Sequence, residues 1–284
     1  MAQTLPTKEV HTMDCKQKAV RAVRFNADGN YCMTCGSDKS LKLWNPHNGL
    51  PLKTYIGHGY DVLDAKGSVD NGHLCSCGAD KQVILWDVAT GQMLRKFRGH
   101  AGKVNCVCFN EESTVIFSGS IDACVNAWDC RSRKTDPIQV LNEAKDSVSS
   151  IQISDAEILT GSVDKYIRRY DVRNGKMVAD CIGHGRLRLL DKDTGELLGE
   201  YMGHQNTQYV IDNCLNEKDT HVVSGSEDGK IYFWDLIEGS VTMTDKVGSG
   251  AVHSVSFHPL EACMLSASET KVHVWREPSF EADT

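Results

Sequence analysis

Residues 99–129 read GHAGKVNCVCFNEESTVIFSGSIDACVNAWD, and the pattern in this stretch recurs along the chain. Within it VNCVCF (104–109) alternates small or polar with apolar side chains. That period of two belongs to a strand with one buried face, not to a helix. A turn at Glu111-Glu112-Ser113 follows, and the stretch closes on Trp128-Asp129. The same alternation returns in VRAVRF (20–25), VSSIQI (148–153) and VHSVSF (252–257), the first followed by a tight Ala27-Asp28-Gly29 turn. No segment carries a sustained helical stripe, so the fold class expected is all-β.

The endings set the period. SLKLWN, QVILWD and CVNAWD place Trp44, Trp86 and Trp128 at steps of 42 residues, and Tyr170 of YIRRYD follows after another 42. Trp234 of IYFWDL and Trp275 of VHVWRE are 41 apart. A period near 42 fits four short strands with their turns, one blade of a β-propeller. Lys8 to Asp14 precedes the first full unit and has the character of an outermost strand, while the chain ends near Trp275 after a third strand. Residues 8–14 are therefore expected to complete the last blade and tie the two ends of the domain together. The domain spans 8–276 as one propeller, with short tails at 1–7 and 277–284.

One unit is short. From Tyr170-Asp171 to Leu190-Asp191 the step is 20, which leaves 22 residues missing. What survives is an outer strand near Lys176–Ile182, then Arg186–Leu190 and Glu196–Tyr201, so the incomplete unit covers about 183–201. His184 follows Gly183 with no Asp or Ser to meet. Two architectures follow. In the first, a seven-unit ring keeps a fifth blade reduced to two strands, because the neighbouring blades carry interfaces shaped for seven. In the alternative, Gly183-His184-Gly185 turns a hairpin, the remnant extends the fourth blade, and six blades close. Losing about five buried contacts worth about 1.5–3 kcal/mol each would remove roughly 10 kcal/mol, the size of a whole domain's stability. The short unit thus reads as a splice variant or an imperfect gene model with a destabilised product.

Gly-His pairs occur at 57–58, 99–100, 183–184 and 203–204, and Trp-Asp pairs at 86–87, 128–129 and 234–235. With the 42-residue step, they resemble the WD-repeat β-propeller family over nearly the whole chain. The resemblance implies a hydrogen-bonded chain inside a blade: a turn Asp accepts from His, the His meets a Ser hydroxyl, and the hydroxyl meets the Trp indole N–H. The matching sets are His58, Ser76, Asp80 and Trp86; His100, Ser118, Asp122 and Trp128; and His204, Ser224, Asp228 and Trp234. Each chain would satisfy four buried polar groups. A hydrolase triad also uses Ser, His and Asp, but a catalytic set has no reason to recur at the blade period. Other units depart from the pattern, with Asp14-Cys15, with Glu143-Ala144 and Tyr170, and with Gly248-Ser249 and Glu269; the last is expected to lack its chain.

Composition narrows the function. No apolar run approaches the roughly 18 residues of a membrane helix, and Met1 to Lys8 lack the apolar core of a secretory signal. Cytoplasm and nucleus are the compartments expected, and there the 12 cysteines stay free thiols. Cys32-x-x-Cys35 and Cys75-x-Cys77 invite a zinc reading. Cys35 and Cys77, however, sit three before Asp38 and Asp80, where other units carry Gly119, Gly161 and Gly225. That is a small-residue position in a crowded strand, and Cys106 and Cys108 likewise read as packing. Arg169 occupies the register of Leu43 and Leu85 and is read as snorkelling or paired, beside Arg168; Arg131, Arg133 and Lys134 form a solvated basic loop. A net charge of −7 argues against direct nucleic-acid binding. No phosphate-binding Gly-rich loop, metal-ligand set or unexplained nucleophile–base pair stands out, so no catalytic, cofactor-binding or metal residue is assigned.

Partners are expected on the face formed by the loops entering each first strand and by the turns with Asp38, Asp80, Asp122 and Asp228. The candidates are Lys18, Arg21, Tyr60, Asp61, Lys103, Asn105, Asp146, Tyr209 and His253. Four segments (23–45, 95–105, 127–134 and LRLLDKDTGELLGEY at 187–201) further resemble the mitogen-activated protein kinase organizer group of WD-repeat scaffolds. That resemblance implies a non-enzymatic scaffold for an ERK-type MAP kinase cascade. Its implied partners are cascade components, a prolyl hydroxylase of the hypoxia response and spliceosomal proteins. The alternative is a protein subunit of a ribonucleoprotein complex in pre-mRNA splicing.

Overall fold

A computed structural model describes residues 5–154, 156–173, 175, 177–182 and 187–278, with 178–182 described by their backbone. The expected Gly183-His184-Gly185 turn, Lys176, Arg186 and most of both tails lie outside these residues. Every regular element among the described residues is a strand, so the fold is all-β.

The Trp44 blade holds β2 (Val20–Phe25), β3 (Cys32–Gly36), β4 (Ser40–Asn45) and β5 (Leu50–Ile56), which follow β1 (Lys8–Asp14). The Trp86 blade holds β6 (Val62–Gly67), β7 (His73–Gly78), β8 (Gln82–Asp87) and β9 (Met93–Arg98). The Trp128 blade holds β10 (Val104–Phe109), β11 (Val115–Ser120), β12 (Val125–Asp129) and β13 (Gln139–Leu141). The Tyr170 blade holds β14 (Val148–Ser154), β15 (Glu157–Ser162), β16 (Tyr166–Asp171) and β17 (Met177–Ile182). A hairpin of β18 (Leu187–Leu190) and β19 (Leu197–Tyr201) follows. The Trp234 blade holds β20 (Asn213–Leu215), β21 (His221–Gly225), β22 (Lys230–Asp235) and β23 (Val241–Lys246). The Trp275 blade holds β24 (Val252–Phe257), β25 (Cys263–Ser268) and β26 (Lys271–Arg276).

Each full blade is an antiparallel meander in chain order, and the last one is completed by β1 in the order β1-β26-β25-β24. Lys8 faces Arg276 and Asp14 faces Lys271 across that pair, so residues 8–14 do supply the outer strand. Among the described residues six sheets have four strands and one has two. The arrangement is six-bladed, the second of the two architectures expected from sequence. The remnant differs from that expectation in one respect: β18 and β19 pair with each other as a separate sheet, and the Tyr170 blade ends at β17.

The alternation that predicted the first strands is broken in one recurring way. The register slips after Val62, Val104, Val148 and Val252, leaving Leu63, Asn105, Ser149 and His253 as bulge residues. A bulge bends its strand and re-aims a side chain at the sheet's end.

The chain divides into two compact units, one of Met1–Thr34, Trp44–Leu50 and Gly185–Thr284, the other of Cys35–Leu43 and Pro51–His184. In the second unit Cys75, Cys77, Val83, Leu85 and Phe97 pack against Val104, Val107, Ile116 and Trp128. Cys106, Phe117 and Val125 pack in turn against Val148, Ile151, Ile158 and Tyr170. In the first unit Val223, Ile231 and Phe233 meet Val252, Val255, Met264 and Trp275. Leu187 and Leu189 of β18 close over Val222, Tyr232 and Trp234. Blade-on-blade burial of this kind contributes about 1.5–3 kcal/mol for each large side chain. A Cβ at Gly119 would come within 2.6 Å of Val148 and 2.8 Å of Cys106, so glycine is held there, while Cys35 and Cys77 are buried at the matching positions of their own blades.

Candidate functional site: a polar rim on rigid blades

The blades are held stiff by internal hydrogen bonds. In the Trp86 blade His58 Nδ1 donates to Asp80 at 3.0 Å, Ser76 Oγ lies 2.8 Å from His58 Nε2, and the Trp86 indole N–H donates to Ser76 Oγ at 2.8 Å. The carboxylate fixes the proton on Nδ1, which leaves Nε2 to accept from the hydroxyl. His100, Asp122, Ser118 and Trp128 repeat this, with 3.0 Å from Nδ1 to Asp122 and 2.8 Å for both other links. Asp80 also accepts the Gly59 N–H and Asp122 the Ala101 N–H. Burial raises the pKa of both aspartates, but the histidines and these amides lower it further, so both carboxyls sit below their usual range.

The third expected set is not joined. In the Trp234 blade the indole N–H donates to the Met202 carbonyl at 2.9 Å, and Asp228 accepts from the Tyr232 hydroxyl at 2.8 Å. Ser224 donates to the Gly225 carbonyl at 2.9 Å, and the buried His204 Nδ1 meets no hydrogen-bond partner among the described residues. Two local causes are visible. From His204 to Asp228 is two residues longer than the 22 that separate His and Asp in the other two sets. Tyr232 also stands where those blades have Ile84 and Asn126, and its hydroxyl takes the carboxylate.

Three blades without the full set use substitutes that the sequence did not announce. In the Trp44 blade the indole N–H donates to Thr34 Oγ1 at 2.8 Å, and the Thr34 hydroxyl donates to the buried Gln17, which fills the role of His. In the Trp275 blade the indole N–H reaches Ser266 Oγ at 2.9 Å, so part of the chain expected to be absent is present. The Tyr170 blade buries Arg168, which donates to Asp164 at 2.8 and 3.2 Å. Burial opposes ionisation of Asp164, but Arg168 and the Lys145 and Tyr166 amides hold its carboxyl well below the usual range. Arg169 pairs with Glu157 at 3.6 Å.

The loops entering the first strands are pinned to the turns between second and third strands. In the second unit Ala79 N–H donates to the Asp61 carbonyl, Ile121 N–H to the Lys103 carbonyl and Val163 N–H to the Ser147 carbonyl, each at 2.9 Å. Of the candidate residues there, Tyr60 is 64% exposed and carries Lys39 Nζ at 5.5 Å from its ring centroid. Lys103 and Asp146 are exposed. Asp61 accepts the Ser37 hydroxyl at 2.7 Å, and Asn105, a bulge residue, donates to Ser147 Oγ at 2.9 Å and the Val148 carbonyl at 2.8 Å. Asp61 and Asn105 therefore hold the rim, and Tyr60 and Lys103 project from it.

In the first unit Tyr209 and His253 come together edge to face at 5.0 Å. Glu227 accepts the N–H groups of Thr207, Gln208 and Tyr209, which hold that loop in place and pull its carboxyl to about 2. Burial depresses the His253 pKa, and the charge of Arg21 depresses it further. Lys18 and Arg21 are exposed.

Burial pushes the thiols of Cys75 and Cys77 well above their ordinary range, which keeps them protonated and poor as ligands. Among the described residues, no three His, Cys, Asp or Glu side chains gather as a metal would require.

A stiff platform with a polar, partly aromatic rim characterises proteins that dock other proteins. Family comparison gives the class: the model described as WD domain, G-beta repeat matches residues 7–45, 49–87, 91–129, 195–235 and 241–276, and the chain belongs to the WD-repeat family. Among its relatives, WD repeat domain-containing protein 83 of Rattus norvegicus is 59% identical, with 99% of this chain and 96% of the relative covered. The protein of that name from Xenopus tropicalis is 62% identical over the same shares. The WD repeat domain-containing protein 83 homolog of Dictyostelium discoideum is 33% identical, with 90% and 94% covered. The rat match runs over 302 residues against the 284 of this chain, so the relative holds residues that this chain lacks. Fold and family together support a scaffold or adaptor role, and the fold is typically a non-catalytic one.

Proposed function

We propose that this protein is a scaffold for an ERK-type MAP kinase cascade, working in cytoplasm and nucleus. The observation that carries the scaffold reading is the rim of the second unit. There Tyr60 and Lys103 project from loops whose backbone is tied to the neighbouring turn. A rim fixed before binding loses little conformational entropy when a partner docks. The choice of cascade rests on the resemblance of residues 23–45, 95–105, 127–134 and 187–201 to that group of scaffolds.

A spliceosomal assignment is the competing reading, and one experiment separates the two. The tagged chain is recovered from cells with its partners, which are identified by mass spectrometry, and the complexes are crosslinked to RNA. Kinases of one cascade in the eluate support the proposal. Spliceosomal proteins with crosslinked RNA and no kinase replace it with the alternative. An eluate holding only chaperones sinks the scaffold reading.

A further inference from the structure

We infer that the rim of the second unit docks an extended, aspartate- and glutamate-rich segment of a partner protein, with a row of lysines supplying the complementary charge. The inference rests on the scaffold reading and names the partner chemistry for one part of it.

The row begins with a backbone anomaly. In five of the blades the turn that joins the second and third strands has a left-handed residue after its aspartate; in the Trp275 blade the acidic Glu269 is itself left-handed (φ 53°). In the Trp234 blade the left-handed residue is Gly229 (φ 78°), and in the Trp128 blade it is Ala123 (φ 64°). Glycine fits such a position without steric penalty. Three blades place lysine there instead: Lys39 (φ 73°), Lys81 (φ 66°) and Lys165 (φ 74°). All three belong to the second unit and all are exposed. Such residues persist only where the surrounding structure holds them in place.

The surrounding charges make the lysines dominant. The turn aspartates face inward: Asp38 accepts from Ser40, Asp80 from His58, Asp122 from His100 and Asp164 from Arg168. Asp61 is taken by Ser37. Lys103 and Lys145, in the loops entering β10 and β14, are exposed beside the same turns. Among the described residues the exposed acids of this rim are Glu143 and Asp146. A chain with 38 acidic and 31 basic residues thus turns mostly lysine outward along one rim. Tyr60, under the Lys39 ammonium, adds an apolar plate against which a peptide backbone can lie.

The test is binding of a fluorescein-labelled peptide of alternating Asp and Glu, read by anisotropy, beside a Ser–Gly peptide and oligouridine. The triple variant Lys39→Gly, Lys81→Gly, Lys165→Gly removes the charge and relaxes the turns, so it keeps or raises the melting temperature. It is expected to lose acidic-peptide affinity about tenfold or more. A triple Lys→Asn variant, whose side chain also tolerates the left-handed turn, repeats the loss should the glycine variant melt early. A control, Arg131→Gln, Arg133→Gln, Lys134→Gln, removes equal charge at the opposite end of the Trp128 blade and keeps wild-type affinity. Equal loss in the control, unchanged affinity in both lysine variants, or preference for oligouridine would each overturn the proposal. So would undiminished recovery of the cellular partners by the triple variant, and that result leaves the scaffold reading intact.

Discussion

The Trp128 blade and the Trp234 blade present the same four residue types at the same distances back from tryptophan for Ser and Asp, yet only the first links them into a chain. In the Trp128 blade His100, Asp122, Ser118 and Trp128 satisfy one another. In the Trp234 blade the indole turns to a carbonyl, Asp228 turns to Tyr232 and His204 is left over. The difference lies in the surroundings. The loop before β10 is short and its blade packs on complete neighbours. The loop before β20 is longer, β20 has three residues, and Leu187 of β18 and Tyr201 of β19 pack into the Trp234 cluster. A hydrogen-bonded motif is thus a property of a packed blade and not of four letters.

The largest expected effect comes from completing the weaker region. Inserting the strand pair of a relative between Ile182 and Leu187 should raise the denaturation midpoint, with the unfolding free energy higher by several kcal/mol on the basis of about 1.5–3 kcal/mol per restored buried side chain. An unchanged midpoint would show that the hairpin supports the Trp234 blade unaided.

Next comes the buried ion pair of the Tyr170 blade. Asp164→Ala leaves Arg168 buried without its carboxylate and should cost about 3–5 kcal/mol in chemical denaturation. Asp228→Ala removes the acceptor of the Tyr232 hydroxyl and of the Lys230 N–H at a partly exposed turn, strands no buried charge, and should cost about 0.5–1.5 kcal/mol. Equal costs would erase the contrast between the regions.

A double-mutant cycle sharpens it further. Ser118→Ala strands His100 Nε2 and the Trp128 indole N–H, at about 1–3 kcal/mol. The Ser118–Trp128 coupling, with Trp→Phe as partner change, should fall in the range of about 0.5–3 kcal/mol. The Ser224–Trp234 coupling should be close to zero, and a matching value there would mean the two residues communicate after all.

The smallest effect is the response to acid. His100 is held below the usual imidazole range by burial, against the pull of Asp122. As pH falls, the unfolded chain therefore takes up this proton first. Its contribution to stability is whole above about pH 6.5 and drains away as pH drops toward the folded value. Asp122, lowered in the folded state, adds stability that is whole above about pH 4 and is lost as pH falls through its depressed value. Asp122→Asn should flatten the lower part of a plot of denaturation midpoint against pH. A slope identical to wild type below about pH 4 would remove Asp122 from this account.

Much of this was legible beforehand. The Trp and Tyr spacing announced the blades, the early strand at Lys8 announced the closing of the last one, and the short step at Tyr170 announced the hairpin of β18 and β19. The candidate rim was less legible. Asn105 and His253 read as alternating strand residues, but bulges set them out of the ladder, and Asn105 then holds its neighbour. Gln17 and the Arg168–Asp164 pair carry no motif, since a hydrogen bond constrains geometry and donor type more than residue name. The left-handed lysines were hidden too, because φ is a property of the closed turn.

The sequence by itself determined the class of fold, the family and the number of strands, because alternation and period express which faces must be buried at each step along the chain. Tertiary structure alone decided which polar residues meet, which lysines face outward and where the incomplete unit goes. Those outcomes depend on loop length, bulges and the presence of a packed neighbour, and they are settled only when distant strands come within hydrogen-bonding reach.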